Sequence, residues 1–126
     1  MSEIYPTEYE EQCVFFDLLR LKHPEIYAVS WSHVDGAWHG RDKKVAQTVA
    51  SKQKKAGAKV GVPDIVINVA RGKFHGLYIE MKRQVRGVVS DEQKEMLRLL
   101  SDQGYACFVA KGADAAMLAV ERYLKL

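Results

Sequence analysis

Two short apolar segments joined by a tight, glycine-containing connection place the strongest constraint on how this chain folds. Residues 65–69 form a β-branched run that is apolar except for Asn68, and residues 77–82 form a second strand-like run. Pro63 precedes the first run and Arg71-Gly72 follows it. Because the connection is too short for a crossover helix, we expect the two runs to pair as an antiparallel hairpin.

The register of this hairpin brings charged residues together. If the turn is centred near Gly72, Asp64 lies opposite Glu80, with Cβ atoms roughly 4.5–5.5 Å apart. Opposed carboxylates repel each other, and a cation between them relieves the repulsion. Lys82 leaves the same face of the strand as Glu80, because it lies two residues further on. Two acids and a lysine suit metal-assisted phosphodiester hydrolysis. A surface salt bridge is the alternative, and it is the commoner explanation for an E-x-K pattern, here Glu80 and Lys82, in a strand.

The remaining sequence predicts helices and strands around this hairpin. Thr7 and Glu10 form an S/T-x-x-E helix start, and Ser90 with Gln93 forms a second start whose helix is closed by Gly104. The predicted elements are helices over residues 8–22, 42–56, 91–103 and 113–124, and further strands over 26–31 and 105–110. We therefore expect a single α/β domain over residues 1–126, with a mixed central β-sheet flanked by helices.

The first helix supplies a candidate third acid. On a helical wheel of about 100° per residue, Glu8 and Gln12 lie on the same side as Phe15 and Leu19, which must face the core. Glu8 is therefore the candidate, and Glu11, about 60° away, is the alternative. Glutamates also favour the first turn of any helix, so a purely structural role stays open for both.

A stretch rich in basic residues precedes the hairpin. Residues 41–59 contain seven bases and one acid, Asp42. Such a stretch is either a solvated helix face or a surface that contacts nucleic-acid phosphates. The candidate contacts are Lys43, Lys44, Lys52, Lys54, Lys55 and Lys59. His33 opens a polar, aromatic loop over 33–40, for which nucleic-acid contact or a metal site is open. The chain has no G-x-S-x-G and no Gly-rich phosphate loop.

Composition limits the class of protein. The chain has 126 residues, of which 48% are hydrophobic and 28% charged, and a formal net charge of +3. This composition is that of one globular domain. The N-terminus does not resemble a signal peptide, and no apolar run has the ~18–20 residues of a membrane span, so we expect a cytoplasmic protein. Without a CxxC motif, Cys13 and Cys107 are expected to be core thiols rather than zinc ligands or a disulfide.

Several segments, taken in order, resemble the virus-type replication-repair nuclease (VRR-NUC) domain of the PD-(D/E)xK nuclease superfamily. They are GVPDIVI at 61–67, GLYIEMKRQ at 76–84, GVVSDEQKEML at 87–97 and DQGYACFVAKGADAA at 102–116. TEYEEQ at 7–12 is also similar to the family's early E-x-x-x-Q segment. The similarity extends over essentially the whole chain and implies a restriction-endonuclease-like fold.

The resemblance also implies roles for individual residues, each at the position that matches a family motif. These are the metal ligands Asp64, Glu80 and Glu8, the catalytic lysine Lys82, the site amide Gln93, and the supporting residues Gln12 and Ser90. The implied cofactor is Mg²⁺ or Mn²⁺.

The activity implied by the resemblance is that of a metal-dependent DNA endonuclease. Small members resemble junction-resolving nucleases, which implies a role in DNA repair on branched DNA such as a Holliday junction, in a bacterial or phage-infected cytoplasm. Paired nicks need two active sites, which a homodimer provides. Many relatives carry P-N-G where this chain has SHVDG at 32–36, so the role of that loop is open. The alternatives are a non-catalytic nucleic-acid-binding module and a structural domain that binds acids or metal.

Overall fold

The structure, a computed structural model, describes residues 4–33 and 43–126. Its helices are α1 (Glu8–Lys22), α2 (Pro24–Tyr27), α3 (Lys43–Lys55), α4 (Asp91–Asp102) and α5 (Ala113–Leu124). Its strands are β1 (Ser30–Ser32), β2 (Ile65–Ile67), β3 (Leu77–Lys82) and β4 (Ala106–Lys111). The predicted α/β architecture, a mixed sheet with flanking helices, is confirmed.

The four strands form one sheet in the order β1-β2-β3-β4. β2 pairs antiparallel with both β1 and β3, whereas β4 lies parallel to β3. Since parallel neighbours need a crossover, α4 connects β3 to β4. Ile65 pairs with Ile79, which is the predicted hairpin register. One step further along the same register, Asp64 faces Glu80.

The core lies between the sheet and helices α1 and α5. Phe15 and Leu19 of α1 are fully buried, as the helical wheel predicted, in one cluster with Ile65 and Ile79 of the hairpin and Val120 of α5. Burial of each such side chain contributes roughly 1.5–3 kcal/mol. This packing fixes α1 against the hairpin, so that the first turn of α1 lies beside the charged end of the strands.

Side-chain caps set the start of α1 and of α4. Thr7 Oγ1 accepts a hydrogen bond from the backbone N–H of Glu10 at 3.1 Å. At α4, Ser90 Oγ accepts from the N–H of Gln93 at 3.1 Å, and Gln93 Oε1 accepts from the N–H of Ser90 at 2.9 Å. Both predicted helix starts are therefore confirmed.

Two predictions are wrong. The predicted strand over 26–31 is largely absent, because α2 occupies Pro24–Tyr27 and β1 begins only at Ser30. Pro24 stands at the first position of α2, where its missing N–H is not needed, and Ser30 Oγ donates to the carbonyl of Ile26 at 2.7 Å. Cys13 is exposed on the outer side of α1 instead of lying in the core, while Cys107 is partly buried; both are free thiols.

The basic segment folds as helix α3 from Lys43 onward. None of the side chains described for α3 is buried. The predicted loop beyond His33, and Arg41 and Asp42 of the basic stretch, lie outside the described residues. Within the described ranges, the helices are all too short or too polar to cross a membrane.

Candidate active site

The GVPD segment holds Asp64 at the beginning of β2. Gly61 has a φ of 85°, a conformation that glycine adopts readily. A Cβ at this position would lie 2.7 Å from the backbone carbon and oxygen of Glu92, so the segment packs closely on the first turn of α4. Oδ2 of Asp64 accepts a hydrogen bond from the backbone N–H of Met81 at 2.9 Å. The carboxylate is thereby tied to the strand that carries Glu80.

Glu80 is the most deeply buried acid of the site, with 1% of its surface exposed. Its Oε1 accepts a hydrogen bond from Gln93 Nε2 at 2.8 Å and lies 3.5 Å from Lys82 Nζ. Its Oε2 is buried and has no hydrogen-bond partner among the described residues. An unpartnered carboxylate oxygen in a protein interior is costly, so this atom is available to a ligand.

Gln93 connects Glu80 to the start of α4. Its Oε1 accepts from the N–H of Ser90 in the capping box, and its Nε2 donates to Glu80. Because both ends of the amide are engaged, its orientation is fixed. The capping box, which sequence reasoning identified as a helix start, thus also positions a carboxylate of the site.

Glu8, on the first turn of α1, completes a cluster of three acids. One carboxylate oxygen from each of Glu8, Asp64 and Glu80 lies within 4.8 Å of the other two. Glu8 and Asp64 are partly buried. The structure therefore brings together the three acids that the register and the helical wheel singled out, and all three offer oxygen ligands of the kind that Mg²⁺ and Mn²⁺ prefer.

Burial and mutual repulsion raise the pKa of two of these acids. The pKa of Glu80 is raised to about 8, first because burial penalises the charged form and then because Asp64 lies close by. Burial, and after it Asp64, also raises the pKa of Glu8. The Lys82 ammonium opposes both shifts without cancelling them. Acids perturbed in this way are concentrated at functional sites.

Lys82 is a buried cation beside the acids, with 7% of its surface exposed. The loop after β3 closes over the stem of its side chain, since a Cβ at Gly87 would lie 2.8 Å from the Cβ of Lys82. Glu80 and Lys82 do form an ion pair, but both are buried. The interpretation of the E-x-K pattern as a surface salt bridge is therefore wrong.

Glu11 lies outside the three-acid cluster, so Glu8 is the acid that α1 brings to the pair. Glu11 is buried and accepts a hydrogen bond from Gln84 Nε2 at 2.9 Å. Its other oxygen lies 3.5 Å from the backbone nitrogen of Ala113 at the start of α5. Gln12 is partly buried, and no hydrogen bond of its side chain is found among the described residues.

None of the predicted nucleic-acid contacts is a member of the acid cluster. Lys44, Lys52 and Lys55 share one face of α3, where they line an open groove together with Gln47, Thr48 and Ser51. Lys54 and Lys59 are exposed as well. The N–H of His33 donates to the carbonyl of Asp64 at 2.6 Å. The His33 Nε2 atom is buried without a hydrogen-bond partner among the described residues, and His33 does not belong to the acid cluster.

Sequence reasoning missed two residues that position the site. The close approach of Gly61 to α4 has no local signal beyond the glycine itself, because it depends on tertiary packing. Gln84 carried a usable signal: it lies two residues beyond Lys82, the same spacing that separates Lys82 from Glu80, although β3 itself ends at Lys82. Its contact with Glu11 links the end of β3 to α1.

Comparison with known proteins decides the family. The VRR-NUC domain matches residues 7–114. The chain belongs to the VRR-NUC family. A solved structure described as a VRR_NUC domain protein is similar over 100% of this chain and 93% of its own, with 29% sequence identity and a TM-score of 0.81. No curated protein sequence matches. Membership of the VRR-NUC family implies a nuclease-type function. The cluster of three acids suggests that this function uses a divalent metal ion.

Proposed function

We propose that this VRR-NUC protein is a metal-dependent endonuclease that hydrolyses phosphodiester bonds in DNA. One observation carries the proposal: three carboxylates from two strands and a helix converge within 4.8 Å beside a buried lysine. Carboxylates that repel each other at this distance destabilise the fold unless a cation joins them. Asp64, Glu80 and Glu8 would hold that cation, Mg²⁺ or Mn²⁺.

The donor set fits such an ion. The buried Oε2 of Glu80 lacks a partner among the described residues, and oxygen ligands are those that hard divalent cations select. When bound, the metal supplies a Lewis acid that polarises a phosphate and makes a water molecule more acidic.

The chain's own residues supply orientation and charge. Gln93 and the N–H of Met81 hold the carboxylates of Glu80 and Asp64 in place. Lys82 presents a fixed positive charge in a buried site, where it stabilises negative charge that develops on the phosphate during cleavage. Because Lys82 is already held in position, little reorganisation accompanies the reaction.

The exposed lysines of α3 support DNA as the substrate. Helix α3 contains five lysines and no acid within Lys43–Lys55. Clustered lysines bind a polyanion by releasing its counterions. We include Lys59 and His33 in this surface as proposed contacts, since Lys59 continues the basic segment and His33 is hydrogen-bonded to Asp64.

We further propose that the protein prefers branched DNA and that its active form is a homodimer. Symmetric cleavage of a junction needs two copies of the site, and a twofold dimer supplies them. Exposed apolar side chains on β4, on α5 and just after α5 support an interface there; they include Phe108, Leu118 and Leu126. Sedimentation analysis tests the dimer independently of cleavage, and a monomer at all concentrations would remove this part alone.

Cleavage of supercoiled plasmid tests the central proposal. Chelator-treated protein should leave the plasmid intact, and addition of Mg²⁺ or Mn²⁺ should restore nicking. Glu80→Gln protein, purified in the same way, is the control for contaminating nucleases, because it keeps an acceptor for Gln93 but loses the charge. DNA binding without cleavage under either metal would favour the non-catalytic binding module. A panel of labelled duplex, flap and junction DNAs then tests substrate preference.

A further inference from the structure

The turn after β3 contains the strained position on which this inference rests. Arg86 has a φ of 67°, and it is the one non-glycine residue with positive φ within the described ranges. For an L-residue with a Cβ, this left-handed conformation brings the Cβ close to the following carbonyl, which disfavours it. Glycine or asparagine would be the ordinary choice at such a position.

Contacts on both sides of Arg86 hold the turn in this conformation. On one side, Gln84 donates to the buried carboxylate of Glu11 at 2.9 Å. On the other side, Gly87 packs so closely on Lys82 that a Cβ would lie 2.8 Å from the lysine Cβ. The backbone of Arg86 is therefore fixed relative to α1 and to the active-site lysine.

The side chain of Arg86, in contrast, is engaged in no ion pair or hydrogen bond with the described residues, and it is exposed. A guanidinium carries five N–H donors in a planar fork that matches a phosphate. Because Gly87 packs on the Cβ of Lys82, the backbone of Arg86 lies next to the stem of the active-site lysine. Arginine at this position makes no interaction within the described chain that would offset the backbone strain.

We propose that Arg86 binds a phosphate of the DNA backbone adjacent to the phosphate that is cleaved. The inference rests on the proposed nuclease function for the identity of the partner. The clamped turn holds the backbone of Arg86 in place before DNA arrives, so that binding has to order only the side chain. Glycine at position 86 would relieve the backbone strain, but it has no side chain with which to bind the phosphate. The strained arginine is therefore kept.

The test compares stability with DNA binding in the same variants. Arg86→Gly relieves the strain, so its melting temperature should equal or exceed that of the wild type. Its affinity for a labelled duplex in Ca²⁺ should fall several-fold, and the slope of log K against log salt should become shallower by about 0.9. Arg86→Lys keeps the charge without the fork and should bind with intermediate affinity.

Arg20→Ala is the matched control. It removes one exposed arginine from the last turn of α1, far along the helix from Glu8, and it should leave the DNA affinity unchanged. Wild-type affinity and salt slope in Arg86→Gly would overturn the inference, as would a lower melting temperature, which would assign arginine a stabilising role in the turn. If the wild type binds DNA through Arg86 but cuts nothing, the proposed nuclease function fails, and of this inference only the contact between Arg86 and a backbone phosphate stands.

Discussion

At the scale of single residues, Lys82 is the group whose removal best separates chemistry from binding. It is buried beside Glu80, with its Nζ 3.5 Å from Oε1. Lys82→Ala should abolish cleavage, because a preorganised charge of this kind is worth roughly 3–4 kcal/mol in rate. DNA affinity should stay within a few-fold of wild type, since Lys82 is one of many basic groups that would neutralise phosphates.

Lys111 offers a matched control for Lys82. It is the register partner of Lys82 on β4, but it is exposed. Lys111→Ala should therefore cleave as the wild type does. Single-turnover cleavage with enzyme in excess, together with a binding titration in Ca²⁺, measures both quantities. A near-normal cleavage rate in Lys82→Ala would remove this lysine from the mechanism.

Glu8 and Glu11 lie one helical turn apart, yet their substitution should have opposite effects. Glu8→Gln removes a charge from a crowded cluster, so metal-free protein at neutral pH should become slightly more stable while metal-dependent cleavage is lost. Glu11→Ala leaves Gln84 and the start of α5 without an acceptor, and we expect a loss of about 1–3 kcal/mol in stability. Urea unfolding with and without metal distinguishes them. Equal destabilisation by both would contradict the separation of roles.

At the scale of elements, α3 should govern affinity without affecting the chemical step. Neutralising Lys52, Lys54 and Lys55 to Gln, a good helix former, should weaken DNA binding many-fold. The salt slope should become shallower by about 0.9 for each phosphate that the helix no longer neutralises. Cleavage at saturating DNA should survive. The same substitution at three exposed lysines elsewhere, namely Lys22, Lys73 and Lys125, is the charge-matched control. Equal loss of affinity in both triple variants would show that net charge, not α3, attracts DNA.

The elements themselves differ in how far the sequence predicts them. α1 and α4 were predictable because Thr7 and Ser90 cap them locally. The hairpin register followed from the position of its short connection. α2 was not predictable, since Tyr27, Val29 and Trp31 recur at the two-residue spacing of a strand. A helical turn begins at Pro24 instead, because it allows Ile26 to pack into the core.

At the scale of the whole molecule, the sequence predicts those parts of the candidate site whose geometry depends on a single helix or strand. Alternation along β3 places Glu80 and Lys82 on one face. The helical wheel favoured Glu8 but left Glu11 as an alternative, because the final choice depends on how α1 is rotated against the hairpin and α5. The strained turn at Arg86 was also invisible, since nothing in the local sequence marks a left-handed arginine.

The acid cluster should also make the stability of the metal-free protein fall as pH rises. The pKa of Glu80 is about 8 in the folded chain against an ordinary value of 4.5, and that of Glu8 is raised too. The folded state therefore binds more protons than the unfolded state between these values. By linkage, the contribution of these two acids to the free energy of unfolding is highest below about pH 4.5 and decreases up to about pH 8.

Metal should reverse this trend, because only ionised carboxylates bind it and only the fold assembles them. At a hundred times its Kd, Mg²⁺ or Ca²⁺ would add about 2.7 kcal/mol of stability, and the gain should grow from pH 5 to pH 8. Thermal unfolding in chelator and in metal measures both trends. Glu80→Gln should flatten the chelator profile and lose most of the metal gain, whereas Glu25→Gln, at an exposed position on α2, should change neither. If Glu80→Gln and the wild type have the same chelator profile from pH 5 to pH 8, this account is wrong, because the acid cluster then contributes no pH dependence.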